Sequence, residues 1–306
     1  MTEMTRRHAL LAGAALPLAA ALARPARAAA PMMGPARPVF NRFMLGRFEV
    51  TTILAGNRTV PDPQTIFGLN VAPERFAAAS RAAMIPADKA QFFFTPTVVN
   101  TGAELILFDT GLAPEGTVAA LEAAGYSPDQ IDTVVITHMH GDHIGGLMEN
   151  GTETFSGARY VTGAVEFDAW DMSGDEGFEK KMRPLAEKTR FLDDGGEAAP
   201  GVTAVAAFGH TPGHMAYRLE SGGKVLLIGA DFANHYVWSL AHPDWEVLYD
   251  RDKEAAAATR RRLLDMLATE RMPFIGYHMP FPALGYVETQ GDGYRYLPAS
   301  YQMMLE

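Results

Sequence analysis

The sequence of 306 residues contains no cysteine. Disulfides, cysteine-ligated zinc or iron–sulfur centres and a cysteine nucleophile are thereby excluded, and any metal site must be built from histidine and carboxylate. Positive charge is also short. The 26 Lys+Arg against 36 Asp+Glu leave a net −10, without the basic footprint a nucleic-acid partner requires. No apolar run reaches the ~20 residues of a membrane span. What remains is 48% hydrophobic and 20% charged, a globular balance that excludes wholesale disorder and is enough for one large domain.

Arg6-Arg7 precede an Ala/Leu-rich stretch ending near Leu22, and Arg24-Pro25-Ala26-Arg27-Ala28 closes on a small-x-small pattern. This reads as a signal peptide over residues 1–28, and the arginine pair resembles a twin-arginine signal for export of folded protein. The expectation is a periplasmic or secreted protein with no membrane association after cleavage. Cleavage after Ala28 removes four Arg and one Glu from the net −10, leaving −13. Residues 29–40, rich in Pro, Ala and Gly, read as a flexible lead-in; residues 41–306 read as one domain.

Within that domain strands alternate with helices. Arg47–Leu54, Phe92–Asn100, Glu104–Phe108, Thr133–Thr137, Arg159–Thr162, Val202–Phe208, Ala216–Glu220, Lys224–Ala230 and Met272–Tyr277 are predicted strands. Glu115–Ala124, a segment ending near Trp170 and Asp252–Thr269 are predicted helices, and an aromatic, Gly-rich tail follows. The interleaving predicts a layered α/β domain. Thr133–Thr137 has no polar alternation, which predicts burial on both faces.

Thr137–Gly146 reads Thr-His-Met-His-Gly-Asp-His-Ile-Gly-Gly, placing His138, His140, Asp142 and His143 within six positions of a chain that has nine His. Neutral imidazole and carboxylate suit zinc, iron or manganese. The other candidates each follow a predicted strand: His210, Asp231 and His278. If those strand ends share one sheet edge, seven donors converge there. His214 is either a group behind the ligands or a replacement for His210. His235 is a candidate for the pocket wall. Asp109 either orients the ligand loop or simply ends its strand. His242 reads as an ordinary loop residue.

Thr137–Gly146, Gly209-His210-Thr211-Pro212-Gly213-His214, Gly229-Ala230-Asp231, His278 and Phe108-Asp109-Thr110-Gly111 together resemble the metallo-β-lactamase superfamily. The tail, His278-Met279-Pro280-Phe281-Pro282 through Tyr294-Arg295-Tyr296-Leu297-Pro298, is similar to the methyl parathion hydrolase and N-acyl-homoserine lactonase branch. The resemblance implies an αβ/βα four-layer sandwich. It implies two divalent ions, zinc first with Mn2+, Co2+ or Fe2+ as alternatives. His138, His140 and His210 would hold one ion, Asp142, His143 and His278 the other, and Asp231 would bridge them. A hydroxide between the ions would attack a lactone, ester or aryl phosphotriester, with Asp142 moving a proton. Trp170 and Phe178 are the implied counterparts of aromatic pocket walls, and Asn234 stands where the lactonases carry a tyrosine.

The expected substrate is small and uncharged, and the aromatic tail from Phe281 to Tyr301 offers an interface for a homodimer. Three other readings stay open. A mononuclear iron persulfide dioxygenase shares the His-rich motif but does not need Asp142, His143 and His278. A glyoxalase II-like thioesterase would require a basic C-terminal segment. The third is a metal-binding protein without catalysis.

Overall fold

Period-two burial divides the chain into two sheets, and the ends of their strands build the site. The computed structural model describes Met32, Gly34, Ala36 and residues 38–305, so the signal over 1–28 lies outside the described residues. In the unit Pro38–Glu306 the first strands are β1 (Phe40–Leu45) and β2 (Phe48–Ile53). A hairpin-like pair follows, β3 (Gly56–Pro61) and β4 (Lys89–Phe94), with helix α1 (Pro73–Ala82) between its members. Next come β5 (Thr97–Asn100), β6 (Leu105–Phe108), α2 (Pro114–Ala123), β7 (Thr133–Val135) and the single turn α3 (Gly141–Ile144). After a small hairpin, β8 (Met148–Glu149) with β9 (Thr152–Glu153), come β10 (Arg159–Gly163), α4 (Ala164–Asp171), α5 (Glu176–Lys181) and β11 (Thr189–Leu192).

The second half is built from β12 (Glu197–Ala199), β13 (Val202–Ala206), β14 (Met215–Ser221), β15 (Lys224–Ala230), α6 (Lys253–Glu270), β16 (Phe274–Gly276), β17 (Leu284–Gln290) and β18 (Gly293–Pro298). One seven-stranded sheet runs β1-β2-β5-β6-β7-β10-β11; the other takes β12 to β18 in sequence order. The parallel pairs are β6-β7, β7-β10, β10-β11 and β15-β16.

Alternation along β6 shows how the layers form. Ile106 and Phe108 join the core between the sheets, with Tyr217, Leu219 and Leu227 of the second sheet. Leu105 and Leu107 point the other way, into a cluster with Leu121 of α2 and Phe167 and Trp170 of α4. Val134 and Val135 split in the same way, so β7 is buried on both faces as its composition predicts. On the second sheet, α6 contributes Leu263, Leu264 and Leu267 to the core. Two sheets face to face with helices outside them are the expected αβ/βα sandwich. Among the described residues no helix is long and apolar enough to cross a membrane.

Two expectations need correction. Phe92–Asn100 is not one strand. Pro96 has no N–H to give a ladder; β4 ends at Phe94 in its two-stranded pair with β3, and β5 starts in the first seven-stranded sheet while the Pro96 carbonyl accepts the Ile53 N–H at 3.0 Å. Nor is the aromatic segment 281–301 an exposed tail. It folds as the β17–β18 hairpin, turning at Gly291 with φ 57°, and its alternate aromatics Tyr294 and Tyr296 are buried in the core. Tyr301 alone of its tyrosines is well exposed.

Candidate metal centre

The loop after β7 places its donors on short backbone connections. Gly146 makes this possible, because a Cβ there would stand 2.1 Å from the Thr110 carbonyl oxygen. His138 and His143 are fully buried, and His140 and Asp142 are partly buried. From the second sheet come His210 beyond β13, Asp231 after β15 and His278 after β16. The strand ends do share one edge, and the seven donors meet there.

His138 Nε2 and His210 Nε2 each lie 3.0 Å from His140 Nδ1. Asp142 Oδ2 is 3.3 Å from His278 Nε2 and 3.7 Å from His143 Nε2. Asp231 stands between the two sets. Its Oδ2 is 3.1 Å from His278 Nε2, 3.5 Å from His210 Nε2 and 4.0 Å from His138 Nε2, and its Oδ1 is 3.5 Å from His143 Nε2.

The partners on the far side of each ring fix which nitrogen faces inward. His143 Nδ1 donates to Asp109 Oδ2 at 2.9 Å, His210 Nδ1 to Asp250 Oδ1 at 2.9 Å, and His278 Nδ1 to the Phe93 carbonyl at 2.8 Å. His138 Nδ1 meets Thr137 Oγ1 at 3.2 Å, and that hydroxyl is itself held by Asp109. The Nε2 atoms of all four therefore converge. His143 Nε2 and Asp231 Oδ1 are buried without a hydrogen-bond partner. Donors about 2.0–2.2 Å from one ion in a tetrahedral shell lie roughly 3.4 Å apart, which matches these spacings. The residues fit divalent metal: His138, His140 and His210 form one group, Asp142, His143 and His278 another, and Asp231 groups with His138 and His143.

Burial and charge divide the two groups in the metal-free protein. Burial holds His138 well below the usual histidine range and lowers His140 to about 3. Burial acts the same way on His143 and His278 but is outweighed. Asp109, Asp142 and Asp231 lift His143 well above its ordinary value, and Asp231 and Asp142 bring His278 to about 10. Against the cost of burial, His143 and His278 in turn hold Asp142 down to about 2.

Two buried carboxylates escaped sequence reading. Glu166 of α4 accepts the Met139 N–H and Trp170 Nε1–H on Oε1, at 3.0 and 2.7 Å, and the Thr211 hydroxyl and Gly213 N–H on Oε2, at 2.7 and 2.9 Å. It ties the 138–143 loop to the 210–214 loop. A Cβ on Gly213 would meet the Glu166 backbone nitrogen at 2.1 Å. Asp250 holds His210 and is itself held by the buried Arg260 at 2.7 Å.

The remaining candidates fall into place around this centre. Asp109, at φ 59°, orients His143. His214 accepts the Asp231 N–H on Nε2 at 3.0 Å, so it braces the carboxylate from behind. Asn234 donates to Asp231 Oδ2 at 3.2 Å and is buried. Three expected wall residues are elsewhere. Phe178 is fully buried against Phe167 in the core. His235 accepts the Val237 and Trp238 N–H groups and caps the π-helical turn Tyr236–Ala241. Trp170 packs edge-on against His140 from outside the pocket. His242 stacks on Trp245, away from the centre.

The cavity over the donors has a volume of about 330 Å³. Its walls are Arg58, Val60, Phe92, Phe94, Leu112 and Tyr249, with His140, Asp142, His210, Asp231 and His278 at its floor. The β3–β4 pair supplies four of those wall residues, and none was singled out from sequence.

The family model of the metallo-beta-lactamase superfamily matches residues 95–273. A ribonuclease Z of Pyrococcus furiosus is 47% identical over 49 residues, 16% of this chain and 15% of that protein. An N-acyl homoserine lactonase of Bacillus thuringiensis is 26% identical over 157 residues, 50% of this chain and 58% of that protein. Both matches therefore span less than two thirds of the relative. Among solved structures, AidC, described as a dizinc quorum-quenching lactonase, superposes with a TM-score of 0.79 at 24% identity, covering 86% of this chain and 98% of that one. That likeness establishes the fold.

Proposed function

The chain belongs to the metallo-beta-lactamase superfamily, and on that footing we propose that it is a dinuclear metal-dependent hydrolase of lactones, esters or aryl phosphotriesters. The observation that carries the reading is Asp231, which stands between the two donor groups, its Oδ2 3.5 Å from His210 of one and 3.1 Å from His278 of the other, with Oδ1 3.5 Å from His143. The donor set suits Zn2+, with Mn2+, Co2+ and Fe2+ compatible. Bound divalent ions supply Lewis-acid polarisation of the reacting oxygen and acidify a water.

The chain's own residues do the rest. Asp142 lines the cavity with 21% of its side chain exposed, against 4% for Asp231. It is the carboxylate placed to take a proton from an attacking water and pass it to solvent. Phe92, Phe94 and Val60 exclude water from one side of the substrate. His214 holds the Asp231 backbone from behind, and Asn234 holds its Oδ2.

Elemental analysis of the purified protein, alongside assays with an N-acyl-homoserine lactone, an aryl ester and methyl parathion, tests the reading. Two ions per chain with turnover of one of these is the expected result. One iron and no hydrolysis would favour the dioxygenase-like alternative, against which the intact Asp142, His143 and His278 group argues. Export through residues 1–28 and a homodimer belong to the same proposal, read by cell fractionation and light scattering.

A further inference from the structure

The cavity wall carries one group that hydrolysis of a neutral ester does not use. Arg58 lines the same space as the metal donors, and among the described residues no carboxylate pairs with it. Apart from Asp142 and Asp231 the wall has no acidic side chain. Once those two are committed to cations, the cavity holds a surplus of positive charge.

Arg58 sits on β3 directly opposite Phe92 of β4. Val60, two residues further on, lies on the same face. The Phe92 ring in turn packs edge-on against His278 at 5.3 Å. Phe92 contacts the donor set, whereas Arg58, its partner on the neighbouring strand, makes no hydrogen bond, ion pair or ring contact with any donor. An anion bound by Arg58 is then distinct from the group under attack at the donors. It belongs to a substituent several bonds distant, joined by a spacer lying over Val60 and Phe92, which are apolar.

We propose that Arg58 is a specificity-determining residue that binds a carboxylate at the remote end of the substrate, making anionic esters or lactones with an apolar spacer the preferred class in place of uncharged ones. A carboxylate matches the planar fork of the guanidinium, which can hold it through two parallel hydrogen bonds. This inference rests on the hydrolase reading for its substrate class, but binding tests it separately.

The zinc-loaded protein is assayed with 4-nitrophenyl esters of monocarboxylic acids and with the mono-4-nitrophenyl esters of dicarboxylic acids of matching length. Binding is measured in parallel with 4-nitrophenyl alkyl ethers that carry or lack a terminal carboxylate, none of which can be hydrolysed. The expected result is a carboxylate-to-neutral preference of about tenfold, the size of one charge-assisted contact near a surface. It should depend on spacer length and shrink in 0.5 M NaCl. Arg58→Gln should remove most of the preference and Arg58→Lys should keep part of it. A preference at or below one, or one that Arg58→Gln leaves unchanged because the carboxylate sits on the ions, overturns the proposal. If the ethers show the preference while no ester is hydrolysed, the hydrolase reading fails and the role of Arg58 stands.

Discussion

Asp109 holds His143 at 2.9 Å through Oδ2 while its Oδ1 receives the Thr137 N–H, also at 2.9 Å. Both neighbours are donors, which only a carboxylate accepts on both sides. Asp109→Asn must turn its amide N–H2 toward one of them. Facing His143, it reverses the ring tautomer and puts a proton on Nε2. The expected outcome is a 10- to 100-fold loss of metal affinity, measured by competition with a chromophoric chelator; unchanged affinity would remove Asp109 from this role.

Glu166 presents the same problem twice over, with four donors on its two oxygens. In Glu166→Gln the Thr211 hydroxyl can rotate away, but a backbone N–H is left facing an amide N–H2. A buried unpaired donor costs about 1–3 kcal/mol. Urea unfolding of the metal-free protein should show the midpoint falling at constant slope.

His210 and His214 are four residues apart yet have different work. His210→Ala should lower metal content, because it empties one corner of the three-nitrogen group. His214→Ala leaves every donor in place and unpartners the Asp231 N–H. Its expected effect is on stability, again about 1–3 kcal/mol, with metal content close to wild type. Elemental analysis and thermal unfolding of both variants decide this, and the reverse pattern would reassign the ligand.

The metal-free site is partly protonated, and this predicts a proton count. His278, brought to about 10 by its carboxylates, holds its proton at neutral pH, and His143 is raised in the same sense. A metal ion needs the unprotonated rings. Loading the Asp142, His143 and His278 group should therefore release protons. Its apparent affinity should weaken as pH falls below about 10, by up to tenfold per pH unit for each proton displaced. The His138 and His140 rings, lowered by burial, should load with little release. Titration calorimetry in buffers of different ionisation enthalpy reads both steps; two steps of equal proton release would contradict the division.

The seven donors were legible because four of them crowd one loop and the other three each follow an apolar strand. Their supports were not. Glu166 sits in the apolar run Ala-Val-Glu-Phe-Asp-Ala-Trp with no spacing to the ligands, and Asp250 is one of several acids in a polar loop. Both act through contacts with residues 27 to 47 positions away. The wall was lost for a local reason. Reading through Pro96 merged β4 with β5 and hid the β3–β4 pair that carries Arg58 and Phe92. Phe178 illustrates the converse limit, since an aromatic near a predicted pocket is, by composition alone, indistinguishable from one in the core.

The donors are drawn from both sheets: four from the loop after β7, and His210, Asp231 and His278 from the second half of the chain. Each proposed ion would therefore act as a rivet between two layers that otherwise meet through the apolar core and a few hydrogen bonds, such as those from Thr211 and Gly213 to Glu166. Neither half alone can collect a full set of ligands for either ion. Metal uptake during folding would then register that the two layers have docked in their correct order, and chelation would remove a cross-link from the sandwich along with its chemistry.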